Sequence, residues 1–186
     1  PFRIKSVEPI YFNTREERAN ILAKAHYNLF LIHSNDILID LRNYGEFLEV
    51  SSDRTTVTVQ SGIVLSDLNE RLQREGLAMP NLGDITYQTI AGALSTSTHG
   101  TGQARTGLAA QVVGFRLIDS GGNVLPCSER ENEEVFHVGR VGLGALGILS
   151  TLTLRVVPAF QLCAVEEPMR VKDVLENIDQ LVNGND

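Results

Sequence analysis

The residues best suited to hold a ligand lie in one glycine- and hydroxyl-rich stretch, Asn81 to Gly102. It reads NLGDITYQTIAGALSTSTHGTG, with four glycines, seven serines or threonines, no lysine or arginine, and a single acid, Asp84. Glycine permits close backbone approach, and successive backbone N–H groups with hydroxyls can hold a phosphate without a cation. The composition alone is equally typical of a tight turn–strand–turn with buried, satisfied hydroxyls.

The order of residues in this stretch resembles the flavin-binding segment of the FAD-linked oxidases of the vanillyl-alcohol oxidase type. That segment has a hydroxyl residue, then Ala-Gly, then small residues, then Thr-His-Gly-Thr-Gly. The matching positions here are Thr89, Ala91-Gly92-Ala93, Ser95 to Ser97 and Thr98-His99-Gly100-Thr101-Gly102. A later stretch, Val141 to Leu149, resembles the family's second glycine motif. The pattern is similar to that of sugar-lactone and alditol oxidoreductases, such as L-gulonolactone and arabinonolactone oxidases and dehydrogenases.

The resemblance implies an α+β fold, a two-lobed FAD-binding domain of the PCMH type with FAD lying extended between the lobes. We expect one lobe over about residues 1–60 and the second over about 61–165. A C-terminal helix over about 170–184 would lead towards the family's substrate cap domain, which we expect to be absent from this sequence.

The resemblance also implies which residues contact the cofactor, FAD. They match the family's two glycine motifs: Thr89, Gly92, Ala93, Ser97, Thr98, His99, Gly100, Thr101 and, through its backbone, Ile148. For His99 we favour a role in fixing the loop through its ring nitrogens over a chemical role. No residue reads as the general base, so the catalytic residues are left open. Cys127 and Cys163 lack a metal or redox spacing, and no metal is expected.

The N-terminal part departs from the family pattern. The family carries a Gly-x-Gly-His-Ser loop, whose histidine is bonded covalently to the flavin in many members. Here Leu29–Ile32 is followed by His33-Ser34, with bulky residues in place of both glycines, and about ten residues fewer than usual precede Ile37. His33 and Ser34 are therefore candidate cofactor residues, with a strand-end histidine as the alternative interpretation. The shortening is either natural or engineered, or some residues of this segment are missing from the sequence.

Composition sets the class of protein. The chain has 186 residues, 42% hydrophobic and 21% charged, as expected of a soluble globular protein. A net charge of −7 argues against a nucleic-acid partner, which would need a basic surface. No apolar run approaches the roughly 20 residues that cross a bilayer, and the N-terminus lacks the apolar region of a signal peptide. We expect a cytoplasmic protein without a membrane span.

The apolar pattern predicts the elements that position these motifs. A capping box at Thr14 and Glu17 precedes a helix over about 15–27. Period-two alternation predicts strands, and 3.6-residue spacing predicts helices. The predicted strands are Leu29–Ile32, Ile37–Leu41, Phe47–Val50, Thr56–Gln60, Val112–Ile118 and Ile148–Val157. One further helix starts near Ser66 and ends at Gly76, and two others cover Glu129–Gly139 and Val171–Val182.

Two function classes follow. The first is an FAD-dependent oxidoreductase, or its FAD domain, that oxidises a sugar lactone or polyol by hydride transfer to flavin, with oxygen or another acceptor reoxidising it. The second is a non-catalytic remnant of the same fold that serves as a binding or interaction domain. A Rossmann enzyme fits poorly, because Gly142-x-Gly144-x-x-Gly147 precedes a strand instead of opening a helix.

Overall fold

A five-stranded antiparallel sheet forms the centre of the computed structural model, which describes residues 9–10, 38–39, 41, 43–102 and 106–184. The strands are β1 (Pro9–Ile10), β2 (Leu38–Ile39), β3 (Phe47–Val50), β4 (Thr56–Gln60), β5 (Leu77–Ala78), β6 (Val112–Ile118), β7 (Val124–Ser128), β8 (Ile148–Arg155) and β9 (Val157–Pro158). The helices are α1 (Leu65–Arg74), α2 (Ile90–Ser95), α3 (Glu133–Gly139), α4 (Val171–Glu176) and α5 (Ile178–Asn183), with a 3-10 turn at Leu108–Gln111.

The order of the sheet is β3-β4-β8-β6-β7, and β8 lies at its centre. On one side Val57 of β4 pairs with Leu154, and on the other Phe115 of β6 pairs with Leu152. The pairs β1–β2 and β5–β9 form two separate two-stranded sheets. Helices mixed with antiparallel sheet confirm the predicted α+β class. Strands from both sides of residue 60 share the large sheet, and the division into two lobes stays a prediction.

The core lies on one face of the large sheet. In β4, Val57 and Val59 are fully buried, while the alternate residues are half-buried, as strict alternation predicts. Buried residues of β6, β8 and the helices complete this core: Val112, Phe115, Leu117, Leu152, Leu154, Leu65, Leu68, Leu72 and Phe136. The Phe115 and Phe136 rings stack with their centroids 5.7 Å apart, which fixes α3 against β6.

Two chain reversals have clear local causes. The helix α1 ends before Gly76, whose φ of +66° favours glycine and whose carbonyl accepts the Ala159 amide at 2.9 Å. In the β6–β7 hairpin, Asp119 Oδ1 accepts the backbone amides of Gly121 and Asn123, each at 2.8 Å. The Asn123 side chain, followed by these backbone amides, lowers the pKa of Asp119, so the carboxylate stays charged and holds the turn.

Most predicted elements are confirmed within the described residues, but two helices differ, and the strand predicted over Ile148–Val157 ends at Arg155. The helix predicted from Glu129 begins at Glu133, because Ser128 and Glu131 exchange backbone hydrogen bonds in a turn. The helix predicted over 171–182 is divided at Asn177 into α4 and α5, neither of which has a buried residue. The helix over 15–27 and the strand Leu29–Ile32 lie outside the described residues. Within the described ranges, every helix is too short or too polar to pass through a bilayer.

Replacement of Val59 by aspartate tests the sheet's buried face. Val59→Asp places an unpaired carboxylate at a fully buried position, and we expect a loss of at least about 4 kcal/mol in the free energy of unfolding, measured by urea denaturation. The control is Leu48→Asp, because Leu48 in edge strand β3 is 40% exposed and should tolerate the charge. Equal urea midpoints for Val59→Asp and the unmodified chain would contradict the orientation of β4.

Candidate functional site

The helix α2 anchors the first glycine motif in the core. Thr89 caps the helix by accepting the Gly92 amide on its hydroxyl oxygen at 3.2 Å. Ile90, Ala93 and Leu94 are fully buried, so the small apolar helix fixes the direction in which the following residues leave it. The predicted cofactor residues Thr89, Gly92 and Ala93 therefore lie together, with Ala93 packed in the core.

The helix ends in a Schellman motif with serine at the left-handed position. The amide of Thr98 donates to Ala93 O at 2.9 Å, and the amide of Ser97 donates to Leu94 O at 3.0 Å. Ser97 has a φ of +57°, a conformation in which glycine avoids a cost of about 1 kcal/mol. Its side chain is exposed. A strained, exposed serine at a position where glycine would be unstrained suggests that the hydroxyl has a function.

Residues 97–102, which we name the glycine loop, lie between two other backbone segments. On one side, a Cβ built on Gly100 would stand 2.1 Å from Leu82 O, so residue 100 contacts the Asn81–Gly83 segment directly. On the other side, the Leu108 amide donates to Thr98 O at 3.1 Å. Gly100 is thus needed for contact with neighbouring backbone, whereas the sequence suggested that it leaves room for the cofactor.

The glycine loop presents hydrogen-bond donors suited to an anion. The side chains of Ser97, His99 and Thr101 are exposed. Within the described part of the chain, the backbone N–H groups of Gly100, Thr101 and Gly102 form no hydrogen bond to another residue. Hydroxyls and consecutive amides are the groups that bind phosphate oxygens at neutral cradles. The loop therefore fits the pyrophosphate of FAD by its donor set.

His99 is fixed by its own neighbour. Its Nδ1 lies 2.9 Å from Gly100 O, and because a carbonyl only accepts, Nδ1 carries the proton and donates it. The ring therefore restrains the turn at Gly100, which agrees with a loop-fixing role. Contact between His99 and a cofactor stays a prediction.

The second glycine motif forms a loop that leads into the central strand. Leu143, Gly144 and Gly147 have φ values of +51°, +76° and +141°. A Cβ on Gly147 would lie 2.2 Å from Ile118 O, so glycine allows β8 to begin directly beside the end of β6. The half-buried Ile148 is the first residue of β8 and pairs with Ile118.

Ser61 joins the two motifs, and its role was missed in the sequence. It is fully buried at the end of β4. Its hydroxyl donates to Leu149 O, its amide donates to Ser150 O at 3.0 Å, and its carbonyl accepts the Ala91 amide at 3.0 Å. The start of β8 and the start of α2 are therefore held by one residue. The signal in the sequence is the small polar pair Ser61-Gly62 directly after the alternating strand β4.

An exposed cluster of Glu129, Glu133 and His137 has ligand atoms within 4.8 Å of one another. His137 Nε2 lies 3.5 Å from Glu129 and 3.6 Å from Glu133. Arg140 Nη2 lies 3.0 Å from His137 Nδ1, and because a guanidinium only donates, Nδ1 must accept. The ring proton is then on Nε2, facing the carboxylates, where a metal would need a free lone pair. The cluster is better described as an exposed polar group in which Arg140 donates to His137 and the ring N–H faces the two carboxylates.

The structure groups most of the predicted cofactor residues and does not describe two of them. Thr89 to Thr101 form one continuous unit of α2 and the glycine loop, and Ser61 connects that unit to the residue after Ile148. His33 and Ser34 lie outside the described residues. The individual cofactor contacts stay predictions.

Comparison with known proteins agrees with this geometry. A family model described as FAD binding domain matches residues 12–128. L-gulonolactone oxidase of Bos taurus is 35% identical over 181 residues, covering 96% of this chain and 41% of that protein. L-gulono-1,4-lactone dehydrogenase of Mycobacterium tuberculosis is 36% identical over 172 residues, covering 92% of this chain and 40% of that protein.

Two further similarities concern another lactone oxidase and a solved structure. D-arabinono-1,4-lactone oxidase of Yarrowia lipolytica is 32% identical and covers 97% of this chain and 36% of that protein. A solved alkyldihydroxyacetonephosphate synthase superposes with a TM-score of 0.58 at 24% identity, covering 64% of this chain and 22% of the synthase, which supports the fold alone. The chain spans about 40% of the length of the L-gulonolactone relatives that it matches.

Replacement of Gly100 by alanine tests the packing of the glycine loop. The new methyl group would meet Leu82 O at 2.1 Å, so Gly100→Ala should displace the loop and weaken FAD binding at least about tenfold in a fluorescence titration. Gly114→Ala in β6 is the control, because the nearest atom to its methyl group would be Cys127 O at 3.4 Å, an ordinary van der Waals contact. Unchanged FAD affinity in Gly100→Ala would show that the loop does not hold the cofactor.

Proposed function

Since the chain belongs to the FAD binding domain family, we propose that it is the flavin-holding part of an oxidoreductase that oxidises a sugar lactone. The observation that supports this most directly is the glycine loop, whose exposed hydroxyls and whose amides without a partner among the described residues match the needs of a pyrophosphate. The substrate class is supported by relatives that are named L-gulonolactone oxidase and D-arabinono-1,4-lactone oxidase.

The chemistry belongs to the cofactor, and the chain supplies its position. Bound FAD would accept a hydride from a sugar carbon and pass electrons to oxygen or another acceptor. The amides of Gly100 to Gly102 and the hydroxyls of Ser97 and Thr101 would bind the pyrophosphate oxygens. His99 would hold the turn through its bond to Gly100 O, and Ser61 would keep the second glycine motif in register with the first.

Several finer assignments remain part of the proposal. Both oxidase and dehydrogenase relatives match the chain, so the electron acceptor of the reduced flavin is either oxygen or another molecule. A polyol substrate, as in alditol oxidases, is the alternative to a lactone. A lactone or polyol is uncharged, so an acidic protein with a net charge of −7 would not repel it. The cytoplasmic location stays a prediction from the sequence.

A second candidate function is a non-catalytic remnant of the same fold. The specific observation in its favour is the sequence before His33-Ser34, where bulky residues stand in place of the family's two glycines. Without those glycines, the backbone could not approach a pyrophosphate closely at that position. Such a domain would act by binding a partner, and it would not need FAD.

Spectroscopy of the purified chain separates these functions. We expect added FAD to bind and to give a yellow protein. After acid precipitation, colour in the supernatant would indicate non-covalent flavin, and colour in the pellet would indicate covalent flavin. Under anaerobic conditions, L-gulono-1,4-lactone or D-arabinono-1,4-lactone should bleach the visible flavin band, with a polyol and a non-sugar alcohol as comparisons. Failure to bind FAD would support the remnant. Bleaching by a lactone would assign lactone oxidation to this chain itself, whereas bound FAD that no lactone bleaches would leave the chain with flavin binding alone.

A further inference from the structure

Gln111 is a buried amide next to the proposed cofactor site. It ends the 3-10 turn just before β6, and only 2% of its surface is exposed. Its Nε2 donates to the backbone carbonyl of Asn81 at 2.8 Å. Its Oε1 is fully buried, and no described residue donates a hydrogen bond to it.

The half-satisfied amide is not explained by stability alone. A buried acceptor without a donor costs about 1–3 kcal/mol, whereas an apolar side chain of similar shape would carry no such penalty. Most buried polar groups in folded proteins have partners, so an exception requires an explanation. The benefit of Gln111 must therefore lie in what its Nε2 group holds.

The hydrogen bond from Gln111 fixes the Asn81–Gly83 segment, which forms one wall of the glycine loop. Asn81, which it holds by the main chain, donates through its own Nδ2 to Thr106 O at 3.2 Å and accepts the Leu82 amide at 3.0 Å. Leu82 O is the atom nearest to the position of a Cβ on Gly100, at 2.1 Å. Thr106 leads directly into the segment that contacts the loop's other side, through the Leu108 amide and Thr98 O. Gln111 and Asn81 therefore tie together both walls between which the loop passes.

We propose that Gln111 is a positioning residue for FAD, which acts through Asn81 to hold the glycine loop in the geometry that binds the cofactor. It does so without touching the cofactor. This inference rests on the proposed FAD-binding function. In physical terms, the amide pre-organises the loop, so that less ordering is required when the pyrophosphate binds.

The first test is Gln111→Met, compared with wild-type protein. Methionine has a similar volume and removes both the donor and the unsatisfied oxygen, so the urea midpoint should change little. The Kd for FAD should rise at least about tenfold, because the wall of the loop is no longer held. The matched control is Gln60→Met in β4, which removes another amide with one side-chain bond to backbone, in which Gln60 Oε1 accepts the Glu46 amide at 2.8 Å. Its FAD affinity should match wild type.

The second test uses the donor chemistry directly. In Gln111→Glu, an ionised carboxylate would face the Asn81 carbonyl with no hydrogen to donate, whereas the protonated acid could donate as the amide does. Burial raises the pKa of the introduced carboxyl above its ordinary value. Its Kd for FAD, relative to wild type at each pH, should therefore be highest at neutral pH and fall as the pH is lowered through that pKa. The same ratio for Gln111→Met should not vary with pH.

The outcomes separate this inference from the function on which it rests. If the wild-type protein does not bind FAD, the proposed function fails, whatever the variants do. If wild type binds FAD and both Gln111 variants bind it equally well at every pH, the positioning role is wrong. If Gln111→Met loses stability and affinity together and Gln111→Glu shows no recovery at low pH, Gln111 is a structural residue only. Weak binding with a stable fold and recovery at low pH supports the proposal.

Discussion

The structure depends on backbone segments that approach one another more closely than any side chain would permit. A Cβ at Gly62 would lie 1.8 Å from Leu41 O, one at Gly100 would lie 2.1 Å from Leu82 O, and one at Gly147 would lie 2.2 Å from Ile118 O. Each glycine marks a crossing of two chain segments, and two of them lie in the motifs assigned to the cofactor. The glycine content of these motifs therefore reflects close contact between segments of the chain as well as any contact with a ligand.

These crossings explain how neutral backbone and hydroxyl donors can be arranged for an anion in an acidic protein. The glycine loop leaves a helix in which Ile90, Ala93 and Leu94 are fully buried, and a carbonyl of the loop accepts an amide of the next segment. The donors are consequently held in place before any ligand arrives, which is the condition under which neutral amides and hydroxyls bind anions well. The strained serine at position 97 belongs to the same arrangement, since its hydroxyl is kept where glycine would be less costly.

Local patterns predicted the elements well, and long-range bonds could not be predicted. Alternation predicted Thr56–Gln60, because one face of this strand is buried, and the predicted bounds of Val112–Ile118 are also confirmed. Spacing alone merged α4 and α5 into one helix, since apolar periodicity does not register the break at Asn177. Ser61 and Gln111 escaped notice because their partners are 88 and 30 residues away. The motif resemblance predicted a cofactor segment, whereas the neighbouring residues that hold this segment could be identified only from the fold.

The position of β8 has a consequence for how the chain is made. It is the last of the five sheet strands in the sequence, yet it lies between β4 and β6. During synthesis on the ribosome, β4 is therefore made well before β8, the strand that pairs with it. The hydrogen bond between Thr58 of β4 and Thr153 of β8 joins residues that are 95 positions apart. Until then the apolar faces of β4 and β6 lack their central strand, so the partly made sheet exposes apolar surface that the complete fold buries.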